Sequence, residues 1–140
     1  MIKSQRAFTL IELLVVISIV GVLIGLSIFG LQGARKSSRD ARRKADLELI
    51  RSGIEIYRAD CGSYPAALAS PLVGTQTTGN TCLTSITYIA EVPIDPLPDR
   101  VYYYSSDGTI YELCAALEGG GTDSCGGSCG ETCDYQVTNP

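Results

Sequence analysis

The chain contains one apolar run long enough to cross a membrane, and that run carries a single charge. It extends from Phe8 to Leu31, and its only ionisable side chain is Glu12. At about 1.5 Å per residue, a helix of this length spans the roughly 30 Å hydrocarbon core of a bilayer. A carboxylate there is costly and calls for a partner of opposite charge. The chain has no Lys, Arg or His between Phe8 and Gly33, so any partner has to come from elsewhere.

The charges flanking the run bear on its orientation. Residues 1–7 contain Lys3 and Arg6 and no acid, which favours a cytoplasmic N-terminus. Residues 35–58 hold eight basic and four acidic residues, which taken alone would favour keeping that end inside as well. A cleaved secretory signal peptide is the other interpretation, but its apolar core is about 7–15 residues and lacks an acid. We expect a single-pass membrane protein with an exported head.

The six cysteines and the absence of histidine indicate an oxidising compartment. Up to three disulfides fit a small exported head, and six cysteines allow fifteen connectivities. One candidate bridge is Cys61–Cys82, because Cys61 closes the predicted helix and Cys82 lies in the loop that follows. Cys114 could then join the hairpin to the tail, leaving one local bridge within the tail. A metal or iron–sulfur site is disfavoured by the three-residue gaps in the tail. The cysteines are Cys61, Cys82, Cys114, Cys125, Cys129 and Cys133.

The apolar run is predicted to continue into an amphipathic helix that ends near Ala59–Gly62, because no proline occurs before Pro65. Two neighbouring rows form its apolar stripe at helical spacing. The first row is Ala34, Ala41, Ala45, Leu49 and Ile56, and the second is Leu47, Ile50, Ile54 and Tyr57. We expect this stripe to pack against the head.

A β-hairpin is the best-defined element of the head. The segments 101–105 and 110–115 flank Asp107-Gly108, a two-residue turn signal that would set Tyr104 opposite Tyr111. Residues 62–90 are predicted to be a long loop with a helical turn at 65–72 or a short strand at 85–89, and residues 117–140 a stapled loop. The fold class is α+β: a long N-terminal helix on a small antiparallel sheet. The predicted regions are a leader (1–7), a membrane helix (8–33), an amphipathic helix (34–60) and a head (61–140).

The N-terminal motif resembles the class III signal of type IV pilins and type II secretion pseudopilins. The resemblance is carried by a short basic leader followed by Ala7-Phe8-Thr9-Leu10-Ile11-Glu12 and an apolar helix. In the head, the segments 57–65 and 88–96 and the tyrosines of the hairpin are similar to heads of that family. The resemblance extends to about residue 118, beyond which the Cys-rich tail has no counterpart.

The resemblance implies processing and assembly. A membrane prepilin peptidase would cut between Ala7 and Phe8 and methylate the new amine, although the family usually has Gly where this chain has Ala7. Glu12, together with Thr9, would act in polymerisation, with the Glu12 carboxylate pairing with the Phe8 amine of a neighbouring subunit. The alternative is a carboxylate that is protonated or reaches the headgroups. Gly21 and Gly25 have the spacing that allows helices to approach closely, or are simply tolerated in a membrane helix.

Metal binding, catalysis and nucleic-acid binding have weaker support. Major pseudopilins bind calcium in a loop after the hairpin, and the acids in the corresponding region are Glu118, Asp123, Glu131 and Asp134. An acidic solvated loop is the simpler expectation for them, and no other cofactor is predicted. No nucleophile–base pair or phosphate loop indicates a catalytic residue. The acids among the basic residues of the stem disfavour specific nucleic-acid binding.

The function that the resemblance implies is that of a filament subunit. We expect a homopolymer built through the N-terminal helices, served by a prepilin peptidase, an assembly ATPase and an inner-membrane platform protein. A type IV pilus-like filament is the first interpretation and the pseudopilus of type II secretion the second. A signal-anchored extracellular domain without a filament role is the third.

Overall fold

The structure, a computed structural model, describes residues 8–79 and 81–139, without the side chain of Phe29. The described residues form one long helix and five short strands, which confirms the predicted helix on a small antiparallel sheet. The leader predicted over residues 1–7 lies outside the described residues. The elements are α1 (Leu10–Cys61), β1 (Leu72–Val73), β2 (Thr87–Ile89), β3 (Tyr103–Ser106), β4 (Tyr111–Ala115) and β5 (Tyr135–Thr138).

Helix α1 is bounded by residues suited to each end. The N–H of Leu13 donates to the Thr9 carbonyl at 3.3 Å, which makes Thr9 the N-cap. At the other end Gly62 has φ +80°, a left-handed conformation that glycine adopts without strain, and its N–H donates to the Arg58 carbonyl at 2.8 Å. The chain divides into two compact units, Met1–Lys36 and Ser37–Pro140.

In the first unit the described side chains are all exposed. The helix is long and apolar enough to cross a membrane, judged by length and composition. Large aliphatic side chains are open to the surroundings, for example Ile11 at 69% and Leu26 at 70% exposure. A Cβ added at Gly21 or Gly25 would meet nothing within 4 Å. This unit therefore needs lipid or another protein surface to cover it.

In the second unit only one of the two predicted apolar rows is buried. Leu47, Ile50 and Ile54 are fully buried. The other row is not: Leu49 is 51% and Ile56 57% exposed. The expectation that both rows pack against the head was wrong, because the small sheets cover only the face of α1 centred on the second row.

The main sheet is three-stranded and antiparallel, with the order β3–β4–β5. The hairpin register differs by two residues from the prediction, since Tyr104 pairs with Leu113 and Ser106 with Tyr111. The reason is a four-residue connection in which the Asp107 carboxylate accepts the N–H groups of Thr109 (2.8 Å) and Ile110 (2.9 Å). A shift of two keeps the same faces, so Tyr104 still stacks on Tyr111, with ring centroids 6.2 Å apart.

The tail contains a strand, so the prediction of a loop without regular structure was wrong there. Val137 of β5 pairs with Leu113 and is buried. The segment lacks a turn-bounded apolar run, and it forms a strand because β4 offers a free edge. The loop after α1 holds β1 and β2, which pair through Leu72 and Ile89, with no helical turn among its described residues.

Two clusters form the core of the second unit. The larger joins the buried row of α1 to the inner faces of both sheets. The helix and β2 pack so closely that a Cβ on Gly53 would overlap the Ile89 side chain. The smaller cluster lies under the tail and is built around Cys114, Ala116, Cys129 and Cys133.

Candidate assembly site

Thr9 and Glu12 form a capping box at the start of α1. The Glu12 carboxylate oxygen Oε2 accepts hydrogen bonds from the Thr9 N–H at 2.9 Å and from the Thr9 hydroxyl at 2.7 Å. In return, the Glu12 N–H donates to the Thr9 hydroxyl oxygen at 3.3 Å. This reciprocal arrangement satisfies donors that the first helical turn would otherwise leave free. It also fixes where the carboxylate points.

The capping box leaves part of the carboxylate available. Both hydrogen bonds go to Oε2, and within residues 8–79 and 81–139 no donor reaches the other oxygen, Oε1. Phe8, which is 80% exposed, lines the same surface hollow as Glu12, together with Ile11, Val15 and Val16. A cation presented to this hollow would meet the Glu12 carboxylate beside apolar side chains, and their pairing strengthens once water is excluded.

Every group in the capping box lies after the predicted cut. Thr9 contributes its own amide and hydroxyl, so removal of residues 1–7 would leave the box unchanged. Ala7, the other half of the predicted cleavage site, lies outside the described residues. The new amine at Phe8 would be one residue away from the N-cap.

A buried arginine is the main feature of the head that the sequence analysis missed. The Arg43 guanidinium is fully buried on α1 and donates to both oxygens of Asp95, at 2.7 and 2.9 Å. Its Nη1 also donates to Asp40 (2.8 Å) and Glu118 (3.0 Å). Arg39 adds a two-pronged contact to Glu118 at 2.5 Å. We call these five residues the Arg43 cluster.

The Arg43 cluster holds three parts of the head together. It joins α1 to the proline-rich segment through Asp95 and to the start of the tail through Glu118. A signal for it was present in the sequence, because Arg43 occupies the same helical row as Leu47, Ile50 and Ile54. A charge in an apolar row predicts a buried ion with its own partners.

The ionisation of the cluster follows from its contacts. Hydrogen bonds from Arg39, and then from Arg43, outweigh burial and lower the pKa of Glu118 to about 2. Burial acts to raise the pKa of Asp95, but the hydrogen bonds from Arg43 and the Leu97 N–H prevail and the net pKa is lowered. The hydrogen bond to Asp95 is the main reason that the pKa of Arg43 is raised. All three groups stay charged at neutral pH.

Three disulfides close the head. Cys61–Cys82 joins the end of α1 to the loop, Cys114–Cys125 joins β4 to the tail, and Cys129–Cys133 lies within the tail. None of the described cysteines is free. The smaller core cluster is therefore largely disulfide and small side chains, which is typical of exported domains too small for a large apolar core.

Each of the four candidate calcium ligands accepts a hydrogen bond from another group of the same chain. Glu118 belongs to the Arg43 cluster, and Glu131 pairs with Arg100. Asp134 accepts the N–H groups of Leu117 and Gly121, and Asp123 accepts the N–H of Gln136. Within the described ranges, the one group with metal-ligand geometry is Glu112, Cys114 and Cys125, and its two sulfurs are joined to each other. The candidate acids thus order the tail through hydrogen bonds.

Comparison with known proteins places these features in a family. Residues 2–28 match the model of the prokaryotic N-terminal methylation motif. The type II secretion system core protein G of Klebsiella michiganensis is 29% identical over 99% of this chain and 76% of its own length. The protein of the same name from Pseudomonas aeruginosa is 28% identical over 87% of this chain and 92% of its own length.

The chain carries the N-terminal methylation motif of prepilins and is similar to type II secretion core protein G along nearly its whole length. A third relative, the type II secretion system core protein G of Escherichia coli, is 34% identical over 80% of this chain and 66% of its own length. No solved structure matches the chain. The methylation motif and the single apolar helix fit a single-pass, membrane-anchored filament subunit of this structural family.

The names of the relatives alter the order of the functional interpretations. The sequence analysis placed a type IV pilus first and a secretion pseudopilus second. The three relatives described above are secretion proteins, and nothing in the comparisons supports a type IV pilus specifically. This chain is therefore similar to proteins of type II secretion rather than to a named type IV pilin.

Proposed function

We propose that this protein is the core pseudopilin of a type II secretion system. It is made as a membrane-inserted precursor with its N-terminus in the cytoplasm and its head exported. A prepilin peptidase cuts between Ala7 and Phe8 and methylates the new amine. An assembly ATPase and a platform protein then drive addition of subunits to a filament. The similarity to core protein G over nearly the whole chain supports this assignment.

The observation that carries the proposal is the arrangement of Phe8, Thr9 and Glu12. The Thr9–Glu12 capping box uses only Oε2 of Glu12, and Glu12 lines an apolar hollow together with Phe8. In a filament, the Phe8 amine of the adjacent subunit would pair with this carboxylate. A subunit added out of register would leave both charges unpaired in an apolar setting, which costs several kcal/mol. Glu12 would thus set the register of assembly.

The glycines of the membrane helix support packing between copies. Because Gly21 and Gly25 have open space around them, the isolated chain gives no reason for their small size. Removing the Cβ at four-residue spacing lets two helices approach more closely. We assign them to the contact between subunits.

Processing can be tested by measuring the N-terminal mass. Expression with an active prepilin peptidase should yield a chain that begins with methylated Phe8, and expression with an inactive peptidase should yield the intact leader. Ala7→Gly, which keeps a small residue, is the matched control and should be cut at least as well, whereas Ala7→Asp should not be cut. A mature chain beginning elsewhere would overturn the assignment of the site.

The secretion role can be separated from a pilus role in the native host. Deletion of the gene should abolish release of exported proteins and leave surface pili unchanged, and Glu12→Ala should reproduce the deletion. Loss of surface pili with normal protein release would instead establish the type IV pilus interpretation.

A further inference from the structure

The second unit exposes an apolar ridge on α1. Six residues recur at three- and four-residue spacing on the face opposite the buried row. Leu49 is 51% and Ile56 57% exposed, and the small Ser52 lies between them. We call this ridge the outer stripe: Arg42, Ala45, Leu49, Ser52, Ile56 and Ala59. Two large aliphatic side chains separated by a small one form a ridge that fits into a complementary groove.

The same unit contains such a groove. It has a cavity volume of about 380 Å³ and lies between the proline-rich segment, the start of the hairpin and the loop after α1. We call it the proline groove; its apolar lining includes Leu68, Val92, Pro93, Val101, Tyr102 and Tyr104. Ile94, at 79% exposure, and Val101, at 56%, extend the apolar surface to the rim.

The two ionised side chains that line the groove, Asp95 and Arg100, are paired within the chain, with Arg43 and Glu131, so the charges left for a partner are those at its edge. Glu91 and Asp99 are exposed and directly precede the groove residues Val92 and Arg100. In the part of the chain that the structure describes, neither carboxylate has an ion pair. The outer stripe carries Arg42, whose side chain is 62% exposed and whose ion pair with Asp46 is long, at 3.7 Å. An exposed pair of that kind contributes little, so the guanidinium is free to turn to another carboxylate.

We infer that the outer stripe of one copy docks into the proline groove of a second copy, with Arg42 facing Glu91 and Asp99. The occupant is a second copy because one chain carries both the ridge and the matching groove. Two different surfaces that fit each other make a heterologous contact, which repeats without closing and generates a helical polymer. The inference rests on the proposed function in that it assumes a filament, and it adds a contact between heads.

Charge reversal provides the first test in the full-length, processed protein. Arg42→Glu, or Glu91→Lys combined with Asp99→Lys, should each lower the filament mass seen by electron microscopy about tenfold, and the triple variant should restore it. Lys44→Glu is the matched control: it reverses an exposed charge beside the stripe and should leave filaments unchanged. N-terminal methylation should be normal in every variant.

Cross-linking provides the second test and does not depend on the reversals being tolerated. Copies carrying Leu49→Cys, coexpressed with copies carrying Ile94→Cys, should form a mixed disulfide dimer on a non-reducing gel. Thr109→Cys, an exposed position on the hairpin turn, replaces Ile94→Cys in the control and should give none. The native cysteines are already paired with each other, so they do not compete.

The outcomes separate this inference from the proposed function. If the wild-type protein forms no filaments, the proposed function fails. If the wild type forms filaments while the reversals have no effect, or the mixed dimer is absent, the docking contact is overturned. If Arg42→Glu lowers binding to phosphatidylglycerol vesicles and the groove reversals leave filaments intact, the stripe faces lipid, which also overturns it.

Discussion

The two units of this protein differ in whether their apolar side chains are covered by the chain itself. In the first, the described aliphatic side chains are exposed and the polar contacts are local, as in the Thr9–Glu12 box. In the second, apolar side chains cover each other and a buried cation is surrounded by carboxylates from three segments. The difference teaches that the first unit builds no apolar core of its own, whereas the second builds its core from its own chain.

The largest expected effect comes from a substitution in the first unit. Glu12→Ala should abolish filaments while membrane insertion and thermal unfolding of the head stay as in the wild type. Removing one member of a charge pair in an apolar setting costs about 3–5 kcal/mol at each contact between subunits. Filament yield by electron microscopy, with circular dichroism as the folding control, measures the effect. Normal filaments would contradict the register role of Glu12.

The next effect concerns the second unit. Arg43→Met should lower the free energy of unfolding of the head by about 3–5 kcal/mol, because it leaves the buried Asp95 carboxylate without its cation. Arg42→Met is the matched control, since Arg42 is exposed and weakly paired, and it should change stability by less than about 0.5 kcal/mol. Urea unfolding in detergent measures both. Equal effects for the two variants would show that the Arg43 cluster does not stabilise the head.

The third-largest effect is expected from removing disulfides, which should lower the stability of the head alone. Cys61→Ala with Cys82→Ala opens a connection with a sequence separation of 21 residues and should cost about 3 kcal/mol. Removing the Cys129–Cys133 bridge, which has a sequence separation of 4, should lower the free energy of unfolding by less, because a shorter loop restricts the unfolded chain less. Thermal unfolding of the two double-cysteine variants shows which bridge stabilises the head more. A larger loss for the short bridge would indicate that packing under the tail dominates over loop entropy.

The smallest expected effect near neutral pH is the change in stability of the head as the pH falls. Contacts with Arg39 and Arg43 lower the pKa of Glu118 to about 2 from an ordinary value of 4.5. A depressed folded-state pKa gives stability that is present above pH 4.5 and is lost as the pH falls toward 2. The unfolding midpoint should therefore fall over that window and stay level from pH 5 to 8. Glu118→Gln should flatten the slope, and an unchanged slope would contradict this origin.

Sequence alone identified the elements whose cause is local. The length of the apolar run, the single Glu12 within it and the absence of proline before Pro65 define α1 over most of its course. The alternation around Asp107-Gly108 gave the hairpin and the shared face of Tyr104 and Tyr111, although the four-residue connection moved the register by two. These features depend on helical period, turn chemistry and side-chain alternation, which neighbouring residues determine.

Tertiary structure decided what depends on distant residues. Whether Leu47 or Leu49 faces the core depended on where two small sheets fit against α1. The pairing of β5 required the free edge of β4, and the role of Arg43 required Asp95, which is 52 residues away along the chain. The sequence by itself thus predicted a helix long and apolar enough to cross a membrane, with one charge to be paired, and a cysteine-rich head. Only the tertiary structure decided which face of the helix the head covers and which it leaves exposed, because burial depends on contacts that no local pattern encodes.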